Sequence, residues 1–192
     1  MIAIIKYNGG NVNSVQNALN RLGAESIITD NFDLIQKADK VIFPGVGEAS
    51  STMRILKEKG LDQLIPTLKQ PVLGICLGMQ LMCKNNEEGN TVGMGIFDIN
   101  VKKFPAKNIV PHIGWNTISD FKSDLFSEIK ENNDVYFVHS FYCELSESTT
   151  SICDYILPFS ASLQKDNFVA MQFHPEKSGK IGSQLLQNFL KL

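Results

Sequence analysis

Val72-Leu73-Gly74-Ile75-Cys76-Leu77-Gly78 holds the key to the architecture of this chain. An apolar run entered from Pro71 predicts a strand, and the pattern from Leu77 onward predicts a helix. Cys76 stands at the junction, between two glycines. The arrangement is the GxSxG nucleophile turn with sulfur in place of oxygen. A nucleophile on so sharp a turn needs small neighbours, which Gly74 and Gly78 supply. The following helix points its positive end at the thiol and favours the thiolate. The Leu77 N–H is placed to meet an oxyanion. Taken alone, Cys76 is as readily a buried core cysteine; the strand before it and the helix after it are the context the motif requires.

Upstream, the same strand-then-helix rhythm repeats. Ile2–Tyr7, Ser26–Thr29 and Lys40–Phe43 read as strands. Val15, Ala18, Leu19 and Leu22 follow helical spacing, with Asn13 or Ser14 as the N-cap and Gly23 as the stop. Helical stretches are predicted over Ser51–Lys59, closing at Gly60, and over Leu61–Leu68. The strand runs are apolar throughout, as parallel strands buried on two faces should be. The expected fold is α/β: a doubly wound, mainly parallel sheet. The second half changes character. Ile96–Phe104, Asp134–Tyr142, Ser151–Ile156, Phe159–Leu163 and Phe168–Phe173 read as strands with short connections. They predict antiparallel additions at a sheet edge, or a small second sheet. Lys84–Thr91 reads as a polar surface loop and Ile181–Leu192 as a closing helix. Neither a repeat nor a linker interrupts residues 1–192, so one domain is expected.

Composition narrows the function. Of 192 residues, 43% are hydrophobic and 20% charged, and the formal net charge is −2. Without a basic field, no nucleic-acid partner is expected. No apolar stretch approaches the roughly 20 residues of a membrane span, so no membrane role is expected. The first ten residues show no basic leader, and no secretory signal is expected. The four cysteines, Cys76, Cys83, Cys143 and Cys153, form no CxxC pair. Neither metal nor cofactor is expected, and the thiols suggest a reducing, cytoplasmic setting. Three of the four are read as small buried hydrophobes.

Two further groups sit at predicted strand ends. In Met171-Gln172-Phe173-His174-Pro175-Glu176, extended geometry puts His174 and Glu176 on one face, with Pro175 stiffening the link. A carboxylate beside an imidazole fixes its tautomer and stabilises its cation. Cys76, His174 and Glu176 then supply nucleophile, base and orienter. His139 and His112 lack such a neighbour and read as packed or hydrogen-bonded histidines. Ile42-Phe43-Pro44-Gly45-Val46-Gly47 closes the third strand, at the sheet end where doubly wound proteins bind ligands. The backbone around Gly45 and Val46 could join Leu77 in holding an oxyanion. Read alone, it is a plain turn. No phosphate loop is present, and Asn8-Gly9-Gly10-Asn11 is not GxGxxG.

Together these residues resemble the class I glutamine amidotransferases, a flavodoxin-like α/β family, and the resemblance runs essentially the full length. Its carriers are Pro44–Gly47, Gly74–Met82, Glu87–Gly89, Pro111–Asn116, Tyr136–Tyr142 and His174–Ser178. Within the family the chain is most similar to the glutaminase subunits of imidazole glycerol phosphate synthases, of histidine biosynthesis. The resemblance implies hydrolysis of L-glutamine through a glutamyl thioester on Cys76. It implies that Gln80, Glu88, Ser140 and Phe141 hold the glutamine head group. It also implies a barrel-shaped cyclase partner in a heterodimer, with His112, Trp115, Asn116, Tyr136 and Lys177 near the interface. One departure stands out: Lys6-Tyr7-Asn8 occupies the place where the family's first strand usually ends in an acidic residue. It leaves the triad untouched. It keeps open another ammonia acceptor, as in relatives serving surface-sugar amination. A non-catalytic flavodoxin-like binding module is the reading from a different class, and the intact triad counts against it.

Overall fold

The computed structural model describes residues 1–7, 9 and 11–192. In chain order, β1 (Ile2–Ile5), α1 (Val12–Arg21), β2 (Ser26–Thr29), α2 (Phe32–Lys37) and β3 (Lys40–Gly45) come first. They are followed by α3 (Ala49–Glu58), α4 (Leu61–Leu64), β4 (Val72–Cys76) and α5 (Leu77–Met82). β1 pairs in parallel with β2 and β3, and β3 with β4. Side chains separate by parity, as in strands buried on both faces. Ala3, Ile5, Val41 and Phe43 pack with α3, α4 and α5 on one side. Ile2, Ile4, Ile42, Leu73 and Ile75 pack with α1 on the other.

The second half runs through β5 (Cys83–Asn86), β6 (Thr91–Val92), β7 (Phe97–Lys103), β8 (His112–Ser119) and β9 (Asn133–His139). It ends with β10 (Phe141–Cys143), β11 (Thr149–Tyr155), β12 (Leu157–Lys165), β13 (Phe168–Met171) and α6 (Gly179–Lys191). β13 returns to lie parallel to β4. β12, β11, β8 and β9 continue the sheet antiparallel, giving the order β2-β1-β3-β4-β13-β12-β11-β8-β9. A four-stranded sheet, β10-β7-β5-β6, lies apart from it. Edge additions and a small second sheet therefore occur together. α6 seats Leu185, Leu186 and Phe189 beside α1, so helices cover both faces.

Several elements differ from the sequence reading. The strand expected over Asp134–Tyr142 breaks at Ser140, and its halves enter different sheets. The polar pair His139-Ser140 falls at the break, but Phe141-Tyr142 resumes an apolar run that reads as the same strand. Lys84–Thr91 is not simply a loop. Its first residues form β5, and Asn86 turns inward to donate to Gln80 Oε1 at 3.2 Å. α1 begins at Val12 behind Asn11, with Ser14 inside the helix donating to Asn11 Oδ1. α2 and β8 were not anticipated; the signal for α2 was Asn31, which accepts from Leu34 N. Pro66 lacks an N–H and converts the end of the predicted Leu61–Leu68 helix into a 3₁₀ turn, Ile65–Thr67. Of the Asn8–Asn11 turn, Asn8 and Gly10 lie outside the described residues. No helix among the described residues is long and apolar enough to cross a membrane.

Candidate active site

The carboxyl ends of β3, β4 and β13 converge on Cys76. Register sets Gly45 opposite Cys76 and Met171 opposite Ile75. Cys76 has φ 53° and ψ −110°, a conformation that costs a non-glycine residue about 1–3 kcal/mol. Packing imposes it. A Cβ on Gly78 would land on the Phe43 carbonyl oxygen, and one on Gly45 would strike the Gly78 amide and Leu77. A Cβ on Gly74 would lie 2.8 Å from Met82 Sδ and 3.1 Å from Met79 N. Three absent side chains let α5 sit down on β3 and β4, and that contact holds the thiol on its strained turn.

Beyond β13 the chain carries Gln172 and His174 past the sulfur. Gln172 Nε2 donates to Cys76 Sγ at 3.7 Å, and the thiol lies 3.9 Å from the Val138 carbonyl. His174 Nδ1 meets Glu176 Oε1 at 2.8 Å, both side chains being about 1% exposed. The 3₁₀ turn Pro175–Lys177 brings the carboxylate back under the ring. The backbone is pinned as well. His174 N donates to Tyr136 O, while Ser178 Oγ donates to His174 O and accepts from Tyr136 N. Burial opposes a charge on His174, but Cys76 and Glu176 outweigh it and push the imidazole up to about 10. Its Nε2 has no aligned hydrogen-bond partner among the described residues. The thiol lies beside it without the alignment of a bond, as is common before substrate binds.

Cys76 and His174 open on a cavity of about 390 Å³, lined also by Val46, Leu77, Gln80, Glu88, Ser140 and Phe141. Cys76 and His174 and the four residues expected to hold the glutamine head line this cavity; Glu176 stands behind the imidazole, and Gly45 lies in β3. Gln80 is buried, with Nε2 donating to Phe141 O and to Gln172 Oε1, each at 3.0 Å. Glu88 Oε2 accepts from Ala49 N at the start of α3, at 2.9 Å. Its burial, opposed by that N–H, raises its carboxyl.

The proposed interface residues divide. β8 turns Ile113 and Trp115 outward, Trp115 being 57% exposed. Trp115 packs edge-on against Tyr136, over which Lys177 Nζ stands 5.8 Å from the ring centre. His112 lies inside instead, at 3% exposure, because alternation sends it to the opposite face of β8. His139 Nδ1–H donates to Phe141 O at 2.7 Å, leaving its Nε2 to accept from His112 Nδ1 at 3.0 Å. Asn116 closes the chain on His112 Nε2 at 3.2 Å. Burial drives His112 down to about 4 and His139 to about 3, so both are neutral. This path from Asn116 to the Gln80 contact, together with Gln172 and Asn86, escaped the sequence reading. For Gln172 the signal was available: a lone amide in an apolar strand, on the same face as His174 two residues on.

At the carboxyl edge of an α/β sheet, a strained cysteine on a strand–helix turn thus stands beside a buried histidine–carboxylate pair. The sequence matches the glutamine amidotransferase class-I family over residues 3–192, and the chain belongs to that family. Among its relatives, the imidazole glycerol phosphate synthase subunit HisH of Bacteroides fragilis is 59% identical, covering 100% of this chain and 99% of that protein. The HisH proteins of Bacteroides thetaiotaomicron and Pasteurella multocida are 58% and 46% identical, covering 100% and 99% of this chain and 99% and 97% of theirs. In fold, a glutamine amidotransferase structure matches with a TM-score of 0.75 at 17% identity, covering 100% of this chain and 98% of that one. PurLQS from Thermotoga maritima matches with a TM-score of 0.74 at 15% identity, covering 99% and 97%.

Proposed function

We propose that this chain, acting as one domain over residues 1–192, hydrolyses L-glutamine and passes the ammonia to the cyclase subunit of an imidazole glycerol phosphate synthase, in the cytoplasm. The observation that carries the reading is Cys76 on its strained turn beside His174, with Glu176 2.8 Å behind the imidazole. An imidazole pushed up to about 10 is protonated at neutral pH, so His174 starts as the acid facing the sulfur. Cys76 Sγ adds to the carboxamide carbon of glutamine. The oxyanion is received by backbone N–H groups of Val46 and Leu77, on the cavity wall; Gly45, also expected in that role, directs its N–H to β4 in the parallel ladder and serves as the side-chain-free seat for Leu77 and Gly78. The C–N bond breaks, His174 gives its proton to the leaving nitrogen, and ammonia departs from a glutamyl thioester. Water then adds to the thioester while His174 takes its proton. The C–S bond breaks, glutamate leaves, and the thiolate returns. Glu176 orients the ring and stabilises its cation throughout. Gln80, Glu88, Ser140 and Phe141, around the same cavity, suit the donors and acceptors of a zwitterionic head.

The outward apolar face of Trp115 and Ile113, with Tyr136 and Lys177, suits a protein partner, and the lone Trp an anchor. His112 and Asn116 support that face from behind. Delivery between subunits keeps ammonia from protonation in bulk water. The full-length similarity to HisH proteins favours the histidine pathway over another acceptor. The test is Cys76→Ala, assayed with a co-purified cyclase for glutamate release and for nitrogen incorporation from glutamine. The variant is expected to fold, bind its partner and release no glutamate. Glutamate release at the parent rate would end the reading of Cys76. Incorporation into a different acceptor would end the pathway assignment alone.

A further inference from the structure

Three buried side-chain amides, those of Asn86, Gln80 and Gln172, form a hydrogen-bonded chain that ends on Cys76. An amide has a donor end and an acceptor end, and here the backbone decides which way each one faces. Glu88 N–H can only donate, which it does at 2.8 Å, so Asn86 presents Oδ1 to it and Nδ2 to Gln80. The Phe141 carbonyl can only accept, at 3.0 Å, so Gln80 presents Nε2 there and Oε1 to Asn86. That same Nε2 meets Gln172, which therefore turns Oε1 to Gln80 and is left with Nε2 toward the sulfur, at 3.7 Å. Two backbone groups at separate points thus impose one sense on the chain. Every bond in it donates toward Cys76, and each polarises the next. The Gln172 backbone is held as well, its N–H donating to Ala161 O at 2.8 Å. The other contact of the sulfur works in the opposite direction. The Val138 carbonyl, 3.9 Å away, accepts from a thiol and repels a thiolate, whereas an N–H donor favours the thiolate. With His174 Nε2 out of alignment, Gln172 is the side chain that donates to the sulfur among the described residues. It is fully buried and takes no part in the cavity lining, so its donor serves the sulfur and not glutamine.

We propose that Gln172 is a further catalytic residue: its Nε2–H stabilises the Cys76 thiolate, and the Asn86–Gln80 amides fix it in that sense. The proposal rests on the reading of Cys76 as nucleophile. Gln172→Met keeps the length of the side chain and removes the donor. In the full chain, kcat for glutamate release is expected to fall at least about ten-fold, the loss of one hydrogen bond to a charged group, with KM unchanged. Alkylation of Cys76 by iodoacetamide is expected to move to higher pH by about one unit, the same ten-fold. Gln172→Glu keeps an acceptor for Gln80 and sets an oxygen against the sulfur, so its loss is expected to be larger still. Were Gln172 only a support for Gln80, Gln172→Glu would turn over like the parent, and that result overturns the proposal. So does a parent-like kcat and alkylation profile in Gln172→Met. A third measurement uses the unaltered protein with glutamine side-chain nitrogens labelled for NMR. The Gln172 Nε2–H signal is expected to move downfield with the same midpoint as the alkylation profile. The Gln70 signal, from an amide that donates to Ile35 O, is expected to stay in place. An unmoved Gln172 signal overturns the proposal even if neither variant folds. Glutamate release by Cys76→Ala at the parent rate would instead refute the nucleophile itself.

Discussion

Replacing Glu176 by glutamine removes the charge behind His174 while keeping an oxygen within reach of Nδ1. The carboxylate and ring are both about 1% exposed, so little solvent screens them. With charge centres roughly 4 Å apart and an effective dielectric near 20, the lost attraction is about 4 kcal/mol. That is about three pK units off the imidazolium. His174 then falls from about 10 to about 7, close to its ordinary value, and roughly half the molecules lack the proton aimed at the leaving nitrogen at neutral pH. If the transition state carries the same cation, kcat drops by up to about a thousand-fold. Two assays check this: glutamate release across pH, and alkylation of Cys76 by iodoacetamide across pH. The variant should show lost turnover and an alkylation profile displaced from the parent's. Turnover within ten-fold of the parent, with an unchanged profile, would refute Glu176 as orienter and leave it a packing residue.

Gly78→Ala puts a methyl on the Phe43 carbonyl and must push α5 off β3. Overpacking of this kind costs about 1–3 kcal/mol, or about 2–4 °C in Tm per kcal/mol for a domain of this size. Thermal unfolding by circular dichroism reads the loss, which should bring a fall in Cys76 alkylation rate. Acid should also weaken the fold. His112 and His139 are neutral when folded, so the unfolded chain binds more protons below pH 6.5. Their stabilising effect is present above pH 6.5 and is lost as pH falls toward about 4 and 3. Each such histidine should cost about 1.4 kcal/mol per pH unit over its window. Urea midpoints between pH 7 and 4 measure it, and replacing His112 with Phe should flatten the slope.

Much of the site was legible because its chemistry is written locally. Gly74, Cys76 and Gly78 share one turn, and His174 and Glu176 are two residues apart. Apolar runs with helical stretches between them imply a parallel sheet through burial on both faces. Other features depend on partners distant in the chain. The chain switches sheets at Ser140, between two apolar runs that look like one strand, and Asn86 looks solvated until β5 turns it toward Gln80. Alternation along β8 could have separated His112 from Trp115, but β8 itself went unread.

From residue order and chemistry alone come the α/β class, the nucleophile turn, and the pairing of His174 with Glu176. These follow from short-range sterics, strand parity and side-chain chemistry, which a few neighbouring residues specify. The meeting of the two groups does not. It requires β13 to insert beside β4, so that Met171 falls opposite Ile75 and the next residues pass the sulfur. Tyr7 makes the same point. In the sequence it is an oddity at the end of a strand. Only the alignment of β1 with β3 sets its hydroxyl on the Pro44 carbonyl, because the direction of a backbone hydrogen bond is a property of strand pairing and not of any one segment.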